Sequence, residues 1–343
     1  MKQLLNTLFV TTQGTYLSKD GDTVLVNHEQ EVKFRIPIHN LGSIVCFGNV
    51  LCSPFLLGFC GERNVTLSFL TENGRFLARV QGPVSGNVLL RREQYRRADD
   101  PTASAEIARS VVTAKIANSR IVLQRALRDR PDLAGQESIR QALGDLQHFI
   151  KTLQEQGTVD QIRGVEGNAA AVYFGVFDHL ITTNKEHFFF RERSRRPPLD
   201  NMNGLLSFLY TLLVHDVSAA LEAVGLDPAV GYLHRDRPGR PGLALDLMEE
   251  LRAYVADRLA LSLVNRQQVK PEGFSRTESG AVVMDDQTRK TVLVAWQERK
   301  KEEITHLFLQ EKVPIGLIAH IQAQILARYL RGDLEGYPPF LWR

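Results

Sequence analysis

"RREQYRRADDP", residues 91–101, is where this chain changes character. Before it, apolar residues come in short runs rich in β-branched and aromatic types, cut by turns. After it, the apolar residues recur at helical spacing through long segments. A single switch of period from two to 3.6 divides the chain into two kinds of structure. The expectation is an α+β protein: a small N-terminal β-sandwich or split-barrel domain over 1–90, a linker over 91–100, and a larger all-α domain over 101–343.

Upstream, LNTLFVTT and GTYLS read as strands, followed by the turn KDGD at 19–22. TVLVN and VKFRIPI continue the pattern, and Pro37 marks an edge strand or a strand end. GSIVCFG and VTLSFL are apolar strands, and ENGR at 72–75 turns the chain into FLARVQG. Between them, SPFLLGFCGERN suits a short helix with Ser53 as N-cap and Pro54 at its first position.

Downstream, ASAEIARSVVTAKIANSRIVLQRALRDR runs without glycine or proline until Pro131. Further helical segments follow, one of them expected to end at Gly225 as a C-cap glycine. GAVVMDDQTRKTVLVAWQERK holds a candidate hairpin leading into another helix.

The 343 residues carry a net charge of only +3, so binding to a polyanion must come from local patches. The N-terminus does not read as a signal peptide, and no unbroken run of about 18 apolar residues points to a membrane span. Cys46, Cys52 and Cys60 sit in apolar contexts that suit reduced core thiols of a cytoplasmic protein.

Two acidic stretches are candidates for chemistry. In "HRDRPGRPGLALDLMEELR" (234–252), Asp246 and Glu249 are three apart and share a helix face. Leu247, Leu251 and Val255 would form the buried stripe beside them, and His234 sits beyond a Pro/Gly-rich loop. Carboxylates with one imidazole suit Mg²⁺ or Mn²⁺; a solvated acidic face with an incidental histidine is the alternative. In "RGVEGNAAAVYFG", Glu166 reads as the start of an apolar helix, where it needs a metal, a partner or the helix N-terminus. Spacing alone does not join Glu166 to His234.

Other signals compete. His215-Asp216 is the dipeptide kernel of HD phosphohydrolases, with Asp178-His179 in reverse order, but no second upstream histidine is suitably spaced. "LLRREQYRR" and "FFFRERSRRPP" place arginines beside aromatic residues, the latter with Arg191, Arg193, Arg195 and Arg196. Such patches suit phosphate contacts and stacking on unpaired bases, or are simply solvated loops.

Four blocks in order are more specific than any of these: "GVEGNAAAVYF", "RRPPLDNMNGLLSFLYTLL", "VGLDPAVGYLHRDRPGRPGLALDLMEELR" and "QAQILARYLRGDLEGYPPFLW". Together they resemble the CRISPR adaptation integrases, also called CRISPR-associated endonucleases, over nearly the whole chain. The C-terminal "RGDLEGYPPFLW" resembles the version found in type I, subtype C systems. The resemblance implies metal ligands at Glu166, His234 and Glu249, with Asp246 near the metal and Glu250 left to solvent. Many members have aspartate where Glu249 stands, their usual serine is Gly242 here, and an often-seen alanine is Gly204. It also implies an N-terminal domain that builds a homodimer and a small ferredoxin-like adaptation partner bridging two dimers. The substrates would be double-stranded DNA with splayed or single-stranded ends and CRISPR repeat DNA, with Mg²⁺ or Mn²⁺ as cofactor and no membrane. The activity implied is insertion of short DNA as new spacers by 3′-hydroxyl attack on the repeat phosphodiester, with hydrolysis when water replaces the hydroxyl. A non-catalytic nucleic-acid scaffold and an HD-type phosphohydrolase are the alternatives.

Overall fold

Glycine turns order the N-terminal strands. In the computed structural model, which describes residues 5–80, 82, 88–155 and 157–342, Gly21 and Gly74 take positive φ (55° and 85°) at the two turns expected from sequence. The first strands are β1 (Asn6–Val10), β2 (Tyr16–Asp20), β3 (Thr23–His28), β4 (Glu31–Pro37), β5 (Leu41–Phe47) and β6 (Leu51–Cys52). Helix α1 (Pro54–Glu62) follows, with the Ser53 hydroxyl accepting from the Leu56 amide, and then β7 (Thr66–Leu70) and β8 (Phe76–Val80).

These strands form two four-stranded sheets among the described residues, in the orders β1-β5-β7-β8 and β4-β3-β2-β6. In the first sheet β1 and β7 flank β5 in parallel and only β8 is antiparallel. Leu17 and Val24 from one sheet, Ile44 and Leu67 from the other, and Leu56 and Cys60 from α1 share one buried core. Pro37 ends the edge strand β4, where a missing N–H costs no ladder bond. All three cysteines are free thiols.

Residues 91–99 of the expected linker lie in helix α2 (Val88–Asp99). Asp100 then caps α3 (Pro101–Asp129), its carboxylate accepting from the Thr102 and Ala103 amides. The helical part continues through α4 (Gln136–Leu153), α5 (Val159–Gly175) and α6 (Asn201–Ala223), with Gly225 at φ 87° just past its end. Helix α7 (Gly242–Leu251) passes through a π-helical stretch, Arg252–Asp257, into α8 (Arg258–Asn265). Of the hairpin expected within 280–300 only one strand lies there, β10 (Val282–Met284), leading into α9 (Asp286–Lys301); its antiparallel partner is β9 (Phe274–Arg276), upstream of that stretch. A second hairpin, β11 (Glu303–His306) with β12 (Glu311–Pro314), precedes α10 (Ile318–Leu330) and was not expected. Each of its strands is four residues, too short for an alternation to stand out.

Glu166 does not start its helix. Thr158 and Gln161 form a capping box at the turn that opens α5, leaving Glu166 in mid-helix. Helix α6 is long and apolar enough by length and composition to cross a membrane, with mean hydropathy 1.5 over its best window. Of that window 61% is buried inside the fold, against α7, α10 and the π-helical stretch. Helices α5 and α7 both pack on α3, and that packing positions the site.

Candidate active site

Helix α3 supplies a lysine that the sequence did not single out. Lys115 Nζ forms an ion pair with Glu166 Oε1 on α5 and another, 2.8 Å long, with Glu249 Oε2 on α7. Two of the expected ligands, from separate helices, are therefore brought together on one ammonium. Arg252, one turn after Glu249, holds the other oxygen, Oε1, at 3.0 Å. Glu249 is buried, and burial by itself would raise its carboxyl; Arg252 and Lys115, with His234 nearby, instead hold it down to about 2. The group is thus a carboxylate throughout the neutral range.

The loop between α6 and α7 brings His234 to Asp246. Asp246 Oδ2 accepts the amides of Tyr232 (2.6 Å) and Leu233 (2.9 Å), and Oδ1 accepts that of His234 (2.9 Å). The same Oδ1 lies 2.7 Å from His234 Nδ1. A carboxylate only accepts, so Nδ1 carries a proton, and the tautomer this selects has its lone pair at Nε2. Close backbone packing makes this possible. A Cβ on Gly231 would stand 2.7 Å from Asp246 Oδ2, and one on Gly242 would stand 2.6 Å from the Ala229 carbonyl. Where the related motif has serine, this loop admits only glycine.

This donor set suits a hard divalent cation. Two carboxylates already share one positive charge, and an imidazole fixed by a carboxylate through Nδ1 offers Nε2, the usual outer support of a metal-bound histidine. Among the described residues the side chains do not converge as a ready-made group of three acidic or imidazole ligands. Lys115 stands between the carboxylates.

His234 lines a groove of about 2500 Å³ that runs between the N-terminal sheets, α6 and the α6–α7 loop. Arg75, Arg91, Arg195, Arg196, Arg237 and Arg240 line it too. Of the arginines picked from sequence, Arg91, Arg195 and Arg196 reach this groove, while Arg191 is exposed with its guanidinium 5.3 Å from the Phe189 ring. Arg193 turns inward: it donates to Asn203 Oδ1 (2.6 Å) and Ser207 Oγ (3.0 Å) and lies over Tyr210. Arg75, Arg237 and Arg240 are scattered in sequence and form no run, so only the fold gathers them.

Glu250 does not face solvent. It is fully buried, and its carboxyl receives the Tyr337 hydroxyl (2.8 Å), the Phe340 amide (2.7 Å) and the Gln322 side-chain amide (3.0 Å). Burial pushes it up to about 8 against those donors. The π-helical stretch after α7 carries Asp257, which accepts from Tyr173 on α5 (3.1 Å) and Tyr210 on α6 (2.6 Å). The HD dipeptide does not form a site. His215 is half-buried beside the Phe76 ring and lowered to about 4 by desolvation, while Asp216 pairs with Lys300 at 2.8 Å.

Comparison with known proteins places the whole chain. The family profile described as "CRISPR associated protein Cas1" matches residues 8–298. A CRISPR-associated endonuclease Cas1 of Chlorobaculum tepidum is 56% identical over 343 residues, covering all of both chains. One from Rhodospirillum rubrum is 53% identical over 347, again covering both. Among solved structures, a casposase bound to integration product has a similar fold, with TM-score 0.84 at 23% identity over 97% of this chain and 93% of that one. A Cas1 protein from Thermotoga maritima gives 0.80 at 24% identity, over 96% and 97%. A Cas6-RT-Cas1–Cas2 complex gives 0.82 at 21% identity, over all of this chain and 36% of that one.

Proposed function

The chain belongs to the Cas1 family of CRISPR-associated proteins and is an endonuclease of that family; on that basis we propose that it inserts short DNA fragments into a CRISPR array by metal-dependent transesterification. The observation that carries the reading is the sharing of one ammonium by Glu166 and Glu249, with His234, near Glu249, lining an arginine-rich groove.

The proposed ligands are Glu166, His234 and Glu249, with Asp246 as the outer support of His234. A bound Mg²⁺ or Mn²⁺ would neutralise charge developing on the reacting phosphate, the contribution that phosphoryl chemistry most needs. Positioned acid–base groups alone supply roughly 10²–10⁴-fold, short of the roughly 10⁶-fold or more that enzymes commonly reach. The chain's own residues prepare the site. Arg252 clamps Glu249 Oε1 and leaves Oε2 directed at Glu166's partner; Asp246 keeps the His234 proton on Nδ1. The groove arginines bind phosphates and bring the repeat backbone to the site.

In the proposed reaction a 3′-hydroxyl of the fragment attacks a repeat phosphorus. One P–O bond forms, the P–O3′ bond of the repeat breaks, and the leaving 3′-oxygen takes up the proton the attacking hydroxyl gives. The number of phosphodiester bonds is unchanged, so no ATP is required. Water in place of the hydroxyl gives hydrolysis.

The partners proposed are double-stranded DNA with splayed ends, repeat DNA, a second copy of the chain, and a small ferredoxin-like adaptation protein, with the cytoplasm as the compartment. Residues 1–90 are the proposed dimerisation domain, and 101–343 the catalytic one. The exposed edge strand β4, with Val32 and Phe34 open to solvent, supports the dimer. The test is integration of a short duplex into a plasmid bearing the host repeat, with partner and Mn²⁺. Wild type should join strands, and Glu166→Ala and His234→Ala should fall at least about 10²-fold. Full activity in either variant would reject the site, and equal DNA binding with no Mn²⁺-dependent joining by wild type would leave only a scaffold.

A further inference from the structure

We infer that Lys115 is an internal counter-ion that competes with the divalent cation for Glu166 and Glu249. This inference rests on the cation site proposed above. Its own basis is the choice of oxygens. Lys115 Nζ engages Glu166 Oε1 and Glu249 Oε2, whereas Arg252 takes Glu249 Oε1. The arginine and the lysine therefore divide Glu249 between them, and the lysine alone also reaches the second helix. A cation bridging α5 and α7 through these carboxylates must occupy the place of the ammonium.

The two basic residues are unequal in their ability to leave. Arg252 is half-buried, and its guanidinium is held between Glu249 and the Tyr210 ring, whose centroid lies 4.9 Å away. Its planar fork is fixed on both sides. Lys115 is a compact charge on a flexible four-carbon stem, rooted in the middle of α3 with 12% of its side chain exposed. It also borders a cavity of about 20 Å³ whose lining includes Ser119, Tyr173, Tyr210 and Asp257 together with Arg252. That cavity offers hydroxyl acceptors and a carboxylate to an ammonium that withdraws from the gap between α5 and α7.

The consequence is a site whose two carboxylates are neutralised before any cation arrives. Without Lys115, Glu166 and Glu249 would face each other across a low-dielectric gap with only Arg252 to offset them. With it, α5 and α7 are held in register, and each cation that binds must first displace an ion pair. Lys115 thus lowers metal affinity in exchange for a formed site.

The experiment compares Mn²⁺ binding to the full chain by titration calorimetry, without DNA. Lys115→Met keeps the stem and removes the charge. It should bind Mn²⁺ at least tenfold more tightly than wild type and gain more in Tm from Mn²⁺. Equal or weaker binding by the folded Lys115→Met variant would overturn the counter-ion role. If that variant folds only with Mn²⁺ present, Lys115→Arg is measured instead. Its fork, unable to withdraw as a lysine does, should weaken Mn²⁺ binding at least tenfold, and unchanged affinity would overturn the inference. Glu166→Gln separates the two proposals. If wild type binds Mn²⁺ and Glu166→Gln binds it equally well, the cation site itself is wrong. If Glu166→Gln loses binding while Lys115→Met matches wild type, only the counter-ion inference falls.

Discussion

Asp246 reaches His234 twice: one carboxylate oxygen accepts its backbone amide at 2.9 Å and lies 2.7 Å from its imidazole Nδ1. With Tyr232 and Leu233 also donating, one buried side chain of α7 organises three consecutive amides of the loop. Asp246 is therefore as much a fold residue as a support for chemistry.

Removing it should cost far more stability than removing the histidine it serves. Each stranded buried amide costs about 1–3 kcal/mol, so Asp246→Ala should lose at least about 3 kcal/mol in urea unfolding. His234→Ala removes a ring at the groove edge and should lose less than about 1 kcal/mol. Similar losses for the two variants would show that the loop does not depend on Asp246.

The arginines of one short stretch should separate by function. Arg195→Ala with Arg196→Ala should weaken DNA binding and reduce the slope of log affinity against log salt by about 2, one unit for each phosphate no longer neutralised. Arg193→Ala should leave that slope unchanged and destabilise the fold by about 2 kcal/mol, since its bonds to Asn203 and Ser207 are internal. An unchanged slope in the double variant would remove Arg195 and Arg196 from the interface.

The C-terminal segment should depend on Glu250. Tyr337→Phe removes one hydroxyl donor and should cost about 1 kcal/mol; Glu250→Ala strands Tyr337, Phe340 and Gln322 and should cost about 3 kcal/mol or more. Limited proteolysis should then cut near Tyr337 in Glu250→Ala and spare Tyr337→Phe. Equal resistance in both would show that other bonds, such as that of Asn118 with the Trp342 amide, hold the segment alone.

Asp257 gives a pH dependence with a defined sign. Burial raises it from the ordinary carboxyl value to about 6 despite the Tyr210 and Tyr173 donors. The folded state therefore binds this proton more tightly than the unfolded chain. The associated stability is fully present below about pH 4 and is lost as pH rises through about 6. Measured by calorimetry, the Tm advantage of wild type over Asp257→Asn should be largest near about pH 4 and shrink by about pH 7. An advantage that grows with pH would mean that the two tyrosine hydroxyls outweigh burial.

The division into strands and helices was legible because it depends on local rules. Period-two and period-3.6 patterning, the turns at Gly21 and Gly74, the Ser53 cap and the stop before Pro131 each act within a few residues. Where local rules offered too little, expectation and structure part. Segment 91–100 looked like a linker because charge hid its helical period, and Glu166 looked like a helix start because the glycines beside it outweighed the Thr158 capping box.

The candidate ligands Glu166, His234 and Glu249 came from motif resemblance, and residue identity is what a motif preserves. Sequence alone established the shared helix face of Asp246 and Glu249, but not the mid-helix position of Glu166. It did not establish which acid is paired, exposed or buried: Glu250, next to Glu249, went to the C-terminal segment, and Arg193, two residues from Arg195, went inward. Helix packing put Lys115 between α5 and α7, since ion pairs between residues so distant along the chain do not follow from spacing. The physical reason is that a helix fixes the direction of a side chain relative to its own axis, whereas the charge it meets depends on the neighbour that packing brings.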